Sequence, residues 1–257
     1  MVNRLFDLSG RVALITGGSR GIGKAIARGF AEAGADIAIA ARHEQELRTT
    51  ADEIGRGLSV RVAYHVVDMS DRQQVDRLAA WAIETLGKVD ILINNAGSNR
   101  PQSLVEIADQ DWDAILELNL TSCMRLARAV APGMIGRHWG RIVHLSSVMA
   151  LASNPGRGCY SATKAALLGM ARAHALELGP HGVTVNALAP GPIATDLPMS
   201  LLSDEQKSRF RERTAVKRWG EVNDLVGPAL LLASDAGAYI TGNVLLVDGG
   251  MLCRTFD

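Results

Sequence analysis

Arg11-Val12-Ala13-Leu14-Ile15-Thr16-Gly17-Gly18-Ser19-Arg20-Gly21-Ile22-Gly23 is an aliphatic run that breaks into a glycine cluster and then into a helical pattern. The run from Arg11 to Ile15 reads as a strand. From Gly21 to Ala33, residues Ile22, Ile26, Phe30 and Ala33 recur on one helical face. Glycines between a strand and a helix allow a tight turn and let backbone N–H groups approach a pyrophosphate. The helix N-terminus adds partial positive charge at the same point. The spacing is G-x-x-x-G-x-G, not the commoner G-x-G-x-x-G. Its place between a first strand and a first helix predicts a dinucleotide-binding turn, with Gly17, Ser19, Arg20, Gly21, Ile22 and Gly23 as cofactor contacts.

Outward from this turn the same alternation continues. Gly34 ends the first helix. Strands are read at 37–40, 60–66, 91–93, 141–145, 183–188 and 244–247, with helices over about 44–54, 72–86, 109–135 and 158–179. That order predicts a Rossmann-type doubly wound α/β fold: a seven-stranded, mostly parallel sheet with helices on both faces. No linker, low-complexity segment or repeat interrupts it, so a single domain over 1–257 is expected. Pro190 to about Trp219 shows no strand pattern and carries Pro192 and Pro198. A polar insertion at the carboxyl edge of such a sheet is either a lid over the site or a surface excursion. The lid, at about 190–219, is the expectation.

Composition excludes several function classes. The 257 residues carry 27 basic and 27 acidic side chains and no net formal charge. That balance gives no electrostatic footprint for nucleic acid or an anionic membrane. The opening Met1 to Asp7 has no long apolar stretch, so no signal peptide is expected. No run approaches the ~20 apolar residues of a spanning helix. Cys123, Cys159 and Cys253 have no metal-ligand spacing, so no metal is expected, and an odd, sparse count suits a reduced cytoplasmic protein.

The second strand bears on the cofactor. An acidic residue about 20 positions beyond the glycines binds the ribose hydroxyls of NAD. Here the strand ends Ala40-Ala41-Arg42. Arg42, with Arg20 in the turn, can pair with a 2′-phosphate, which argues for NADP(H). A second constellation lies further on. Tyr160 and Lys164 are four residues apart on the helix read over 158–179, so they share a face. A phenol titrates near pH 10, and an ammonium beside it stabilises the phenolate. Such a tyrosine exchanges a proton with a carbonyl or alcohol oxygen. Ser147, 13 residues earlier, can hold that oxygen by a hydrogen bond.

Taken together, these motifs resemble the short-chain dehydrogenase/reductase family in its one-domain form, nearly end to end. Asn94-Asn95-Ala96-Gly97 is similar to its second signature. The resemblance implies a catalytic set of Asn119, Ser147, Tyr160 and Lys164. Tyr160 is then the general acid or base, Lys164 its tuning partner and a ribose contact, Ser147 the carbonyl anchor, and Asn119 the holder of a proton-supply water. It implies further cofactor contacts at Asp68 and Met69, at Asn95, Ala96 and Gly97, and at Pro190, Gly191, Ile193 and Thr195. Asn94 is expected to stabilise the sheet.

The substrate expected is a small carbonyl compound or secondary alcohol, and the assembly a homotetramer paired through the helices at 109–135 and 158–179. Pocket walls are expected from 98–103 and 148–158, with Ser98, Arg100, Met149 and Asn154 facing substrate. Arg100 could pair with a substrate carboxylate or be a solvated loop residue. The two termini resemble the gluconate 5-dehydrogenase branch; a 3-oxoacyl reductase is the alternative. There, arginines gripping the carrier protein fall at positions that hold His138 and His181 here, with Arg137 adjacent. A non-catalytic dinucleotide sensor is the remaining reading.

Overall fold

A computed structural model of the chain describes residues 2–195, 199–200 and 202–253. Pro198 and three other positions of the expected lid therefore lie outside the described residues. The seven strands are β1 (Val12–Thr16), β2 (Asp36–Ala41), β3 (Val62–Val66), β4 (Ile91–Asn94), β5 (Gly140–Leu145), β6 (Val183–Pro190) and β7 (Val244–Val247). They form one sheet in the order β3-β2-β1-β4-β5-β6-β7, and every strand pair is parallel. Expected strands and observed ones agree to within two residues at each end. Where the sequence predicts a mostly parallel sheet, the described sheet is wholly so.

Seven helices concern the site: α1 (Val2–Leu5), α2 (Gly21–Glu32), α3 (Glu44–Gly55), α4 (Arg72–Leu86), α5 (Asp109–Leu116), α6 (Ser122–Gly136) and α7 (Gly158–Leu178). The helix expected over 109–135 is not continuous. A π-helical turn, Glu117–Thr121, separates α5 from α6.

Side chains alternate across each strand, so the sheet buries two faces. Ala13, Ile15, Ile37, Ile39, Ile91 and Ile93 pack with Ile26 and Phe30 of α2. Leu14, Ala38, Leu92 and Ile142 pack on the other face, with Leu78 of α4, Leu126 of α6 and Ala171 of α7. Phe30 is fully buried; truncating such a phenylalanine to alanine destabilises by about 3–5 kcal/mol. The two faces clamp a rigid sheet whose carboxyl ends carry the loops at 17–20, 95–108 and 146–157.

The strand order reverses between β1 and β4, the point where open α/β sheets place ligands. The described part of the expected lid contains a helix, Asp204–Arg213, started by a reciprocal cap between Ser203 and Gln206. Its base is fastened by a bridge between Ile193 and Gly220. Among the described residues, no helix is long and apolar enough to cross a membrane.

Candidate active site

The glycine turn requires its glycines. Gly17 lies at φ +65°, and a Cβ there would meet Asn95 Nδ2 at 2.8 Å. A Cβ at Gly23 would come within 2.3 Å of the Gly17 carbonyl oxygen. Gly21, at φ +56°, faces the Thr195 methyl. The turn is held from outside. Gly17 N donates to Ala40 O at 2.7 Å. Asn95 Nδ2 donates to Thr16 O and Gly17 O at 2.8 and 3.1 Å. Thr16 Oγ1 accepts from the backbone N–H groups of Asn95 and Ala96 at 3.1 and 3.0 Å. Thr16 thus joins the ends of β1 and β4, a role its place in the motif did not signal.

No side chain caps α2, so its first-turn N–H groups remain open at the turn. Ser19 is committed elsewhere: its Oγ donates to Glu46 at 3.2 Å and its carbonyl accepts from Thr50 at 2.7 Å. Arg20 and Arg42 are exposed and enter none of the described ion pairs or side-chain hydrogen bonds. Ile22 packs on the core, Met69 is buried, and Asp68 accepts from the N–H and hydroxyl of Ser70 at 2.9 and 2.7 Å. At the far side, Gly191 N donates to Val247 O at 3.0 Å, just beyond Pro190. A Cβ on Gly191 would lie 2.7 Å from Asp248 Cα, so this crossing also needs glycine. Ile193 is buried at the base of the expected lid.

The second constellation gathers at the ends of β4 and β5. Lys164, 5% exposed, donates from Nζ to Leu145 O at 2.6 Å. Its Nζ stands 5.6 Å from the centre of the Tyr160 ring. Ser146 Oγ donates to Lys164 O at 2.9 Å, tying α7 to the strand end that bears Ser147. Ser147 is nearly buried, and its Oγ accepts from Met149 N at 3.1 Å. Tyr160 is half-buried on the first turn of α7.

Asn119 is fully buried in the π-helical turn. It holds Ser98 at both backbone groups, accepting from N and donating to O at 2.9 Å each, and donates to Thr163 Oγ1 at 3.2 Å. Thr163 in turn donates to Tyr160 O at 2.7 Å. Gly97 sits where these groups converge: a Cβ there would be 3.2 Å from Asn119 Oδ1 and 3.4 Å from Lys164 Nζ. Lys164, Tyr160, Asn119 and the Ser147 strand end are therefore one unit.

Beneath this unit is a buried histidine that sequence reasoning did not single out. His144 lies on β5 directly across from Asn94, whose Nδ2 donates to its Nδ1 at 3.0 Å. Burial, and secondarily His174 and Lys164, lowers its pKa to about 3. Asn94 thus holds the sheet, as expected, also donating to Cys123 O at 3.3 Å.

The expected pocket walls stand on either side. The 98–103 loop is stitched to the opposite wall by Gln102 N donating to Gly156 O at 3.1 Å. Arg100 is ion-paired with Asp111 on α5. Asn154 is half-buried and accepts through its backbone oxygen from Arg157 N at 3.2 Å. A cleft of about 840 Å³ runs along α2 between Lys24, Thr195 and Val226, on residues other than Tyr160 and Ser147. It shares only its Gly21 and Thr195 edge with the turn.

Comparison with known proteins is consistent across sequence and structure. A family model described as enoyl-(acyl carrier protein) reductase matches residues 17–252. A gluconate 5-dehydrogenase of Gluconobacter oxydans (strain 621H) is 39% identical over 249 residues, 96% of this chain and 96% of its own. A 3-oxoacyl-(acyl-carrier-protein) reductase of Vibrio cholerae serotype O1 is 38% identical over 248 residues, 95% of this chain and 98% of its own. The crystal structure of a gluconate 5-dehydrogenase from Burkholderia cenocepacia J2315, in complex with NADP and tartrate, superposes with a TM-score of 0.93 at 36% identity. That match covers 99% of this chain and 100% of the other.

Proposed function

The chain belongs to the short-chain dehydrogenase/reductase family, and on that premise we propose that it is an NADP(H)-dependent oxidoreductase acting on a ketone or secondary alcohol. The observation that carries the chemistry is the convergence of Lys164 and Asn119 at Gly97, with the Lys164 Nζ 5.6 Å from the Tyr160 ring centre and bonded to Leu145 O near the Ser147 end of β5.

The chain's residues fit the cofactor. The cradle at Gly17 and Gly23 has no room for a Cβ, the α2 N-terminus is uncapped, and Arg20 and Arg42 are two uncommitted cations for a 2′-phosphate. Gly191, Ile193 and Thr195 would hold the nicotinamide end. NADP(H) supplies the hydride. Tyr160 gives a proton to the substrate oxygen in reduction and takes it back in oxidation. Lys164 stabilises the phenolate form, Ser147 holds the same oxygen, and Asn119 fixes the Ser98 backbone against α7. Ser19 and Asn95 support the cofactor through the backbone they fix, since their side chains are already engaged.

Ketone panels assayed by NADPH consumption test this reading. Turnover with at least one ketone is expected; tight NADPH binding with no turnover on any of them would instead indicate a dinucleotide sensor. Between the two branches, one observation disfavours a carrier-protein grip at 137–138. Arg137 is occupied by Asp90 and by Val89 O, at 3.1 and 2.7 Å. A free small molecule is the substrate this supports. The unpaired state of all three cysteines agrees with a cytoplasmic setting, and a homotetramer completes the proposal.

A further inference from the structure

Arg100 is the cation nearest in sequence to the Gly97 convergence on the 98–103 wall, yet its charge is already answered. Its guanidinium pairs with Asp111 Oδ1, in the first turn of α5. Gln102 Nε2 donates to the other carboxylate oxygen at 2.7 Å. Hydrogen bonds from Gln102 and then Arg100 hold the Asp111 carboxyl below its ordinary range, which favours its anionic form beside the guanidinium.

This clamp borders the reacting groups. The residue after Asp111, Trp112, accepts through its carbonyl oxygen from Cys159 Sγ at 3.6 Å, and Cys159 precedes Tyr160. Gln102 N reaches Gly156 O across the pocket at 3.1 Å. On the same loop, Asn99 Oδ1 and Gln102 Oε1 are buried acceptors with no hydrogen-bond partner among the described residues. Both acceptors are shielded within the loop, and the clamp leaves this wall without net positive charge. An uncharged substrate meets no electrostatic penalty there, whereas a free carboxylate would meet the Asp111 charge beside the only guanidinium of that loop.

We infer that Asp111 is a specificity-determining residue: by neutralising Arg100 it tunes the pocket to uncharged ketones and against free carboxylates. The inference rests on the oxidoreductase reading above. It is tested with a matched pair, a hydroxylated keto acid and its methyl ester, which share one ketone and differ in charge. The measured quantity is the ratio of kcat/KM for acid over ester. The wild-type ratio is expected below one. Asp111→Asn, which keeps an acceptor for Gln102, should raise it by about tenfold or more, the scale of a removed like-charge contact. Arg100→Ala alone should lower it further, and the double variant should return near wild type.

A wild-type ratio well above one, or an unchanged ratio in Asp111→Asn or in Arg100→Ala, overturns the inference. So does control of the ratio by Arg157→Ala instead. Arg157 is half-buried ahead of Tyr160 and has no ion-pair partner among the described residues. Turnover of some panel ketone but of neither compound also overturns the inference, whereas no turnover of any ketone, with NADPH bound, overturns the oxidoreductase reading itself.

Discussion

In the role proposed for it, Tyr160 needs a stabilised anion, and Lys164 is the cation its helix presents one turn later. Replacing Tyr160 with phenylalanine removes the proton and little else. Turnover is expected to fall by about 10²–10⁴-fold, with NADPH affinity by fluorescence titration almost unchanged. Retained turnover would remove Tyr160 from the chemistry. Cofactor choice is equally local. Ala41→Asp with Arg42→Ala supplies a ribose acceptor and removes a phosphate partner, so the ratio of kcat/KM for NADPH over NADH should drop. A parent that already prefers NADH defeats the Arg42 argument.

The histidine below the site gives a pH prediction. The folded pKa of His144, about 3, lies below its ordinary 6.5. Between those values the unfolded chain binds a proton that the folded chain refuses, so stability falls as pH drops below 6.5. His144→Gln should lose about 1–2 kcal/mol less than wild type between pH 6.5 and pH 5 in urea unfolding. Parallel pH curves for the two would exclude this.

At this scale the common face of Tyr160 and Lys164 was legible because a spacing of four on one helix sets it. His144 was not, since its burial depends on which strands flank β5. Nor was the commitment of Asn95 to Gly17 legible, because it arises from the pairing of β1 with β4 across the sheet.

Elements were readable wherever apolar periodicity was strong. The departures are the apolar helix Val226–Ala233, which was not among the elements read, and the π-helical turn at Glu117–Thr121. A π turn accommodates one extra residue per turn, which leaves the apolar pattern of a long helix too little changed to detect. What fixes it is tertiary: Asn119 clasps Ser98 on both sides and reaches Thr163. Asn119→Ala removes both of these partners from the Ser98 backbone and the one to Thr163. A destabilisation of about 2–3 kcal/mol by urea unfolding is expected, alongside reduced turnover. A wild-type unfolding midpoint would mean that the turn is held by something else. The Asp204–Arg213 helix was, by contrast, announced and overlooked. Ser203-Asp204-Glu205-Gln206 is a capping box in plain sequence, and both of its bonds are present, at 3.0 and 3.2 Å.

A whole-molecule question remains at the sheet's last strand. β7 is an edge strand, Val244–Val247, with four apolar residues and Leu246 41% exposed. An uncovered apolar edge invites pairing, so proteins shield it. Next to it, Gly242 passes against Ala175 of α7, and Leu176 and Tyr239 on these segments are 81% and 103% exposed. Single exposed apolar groups are ordinary, but a cluster beside an apolar edge marks an interface. A second copy related by a two-fold axis would cover all three residues on both chains at once. With a second two-fold through the helices expected at 109–135, light scattering should give four chain masses. Leu176→Glu with Tyr239→Glu should reduce the assembly to a smaller species, because two-fold contacts bring each introduced carboxylate near its own symmetry mate. A wild-type monomer, or a double variant of unchanged mass, would place this surface outside any subunit contact.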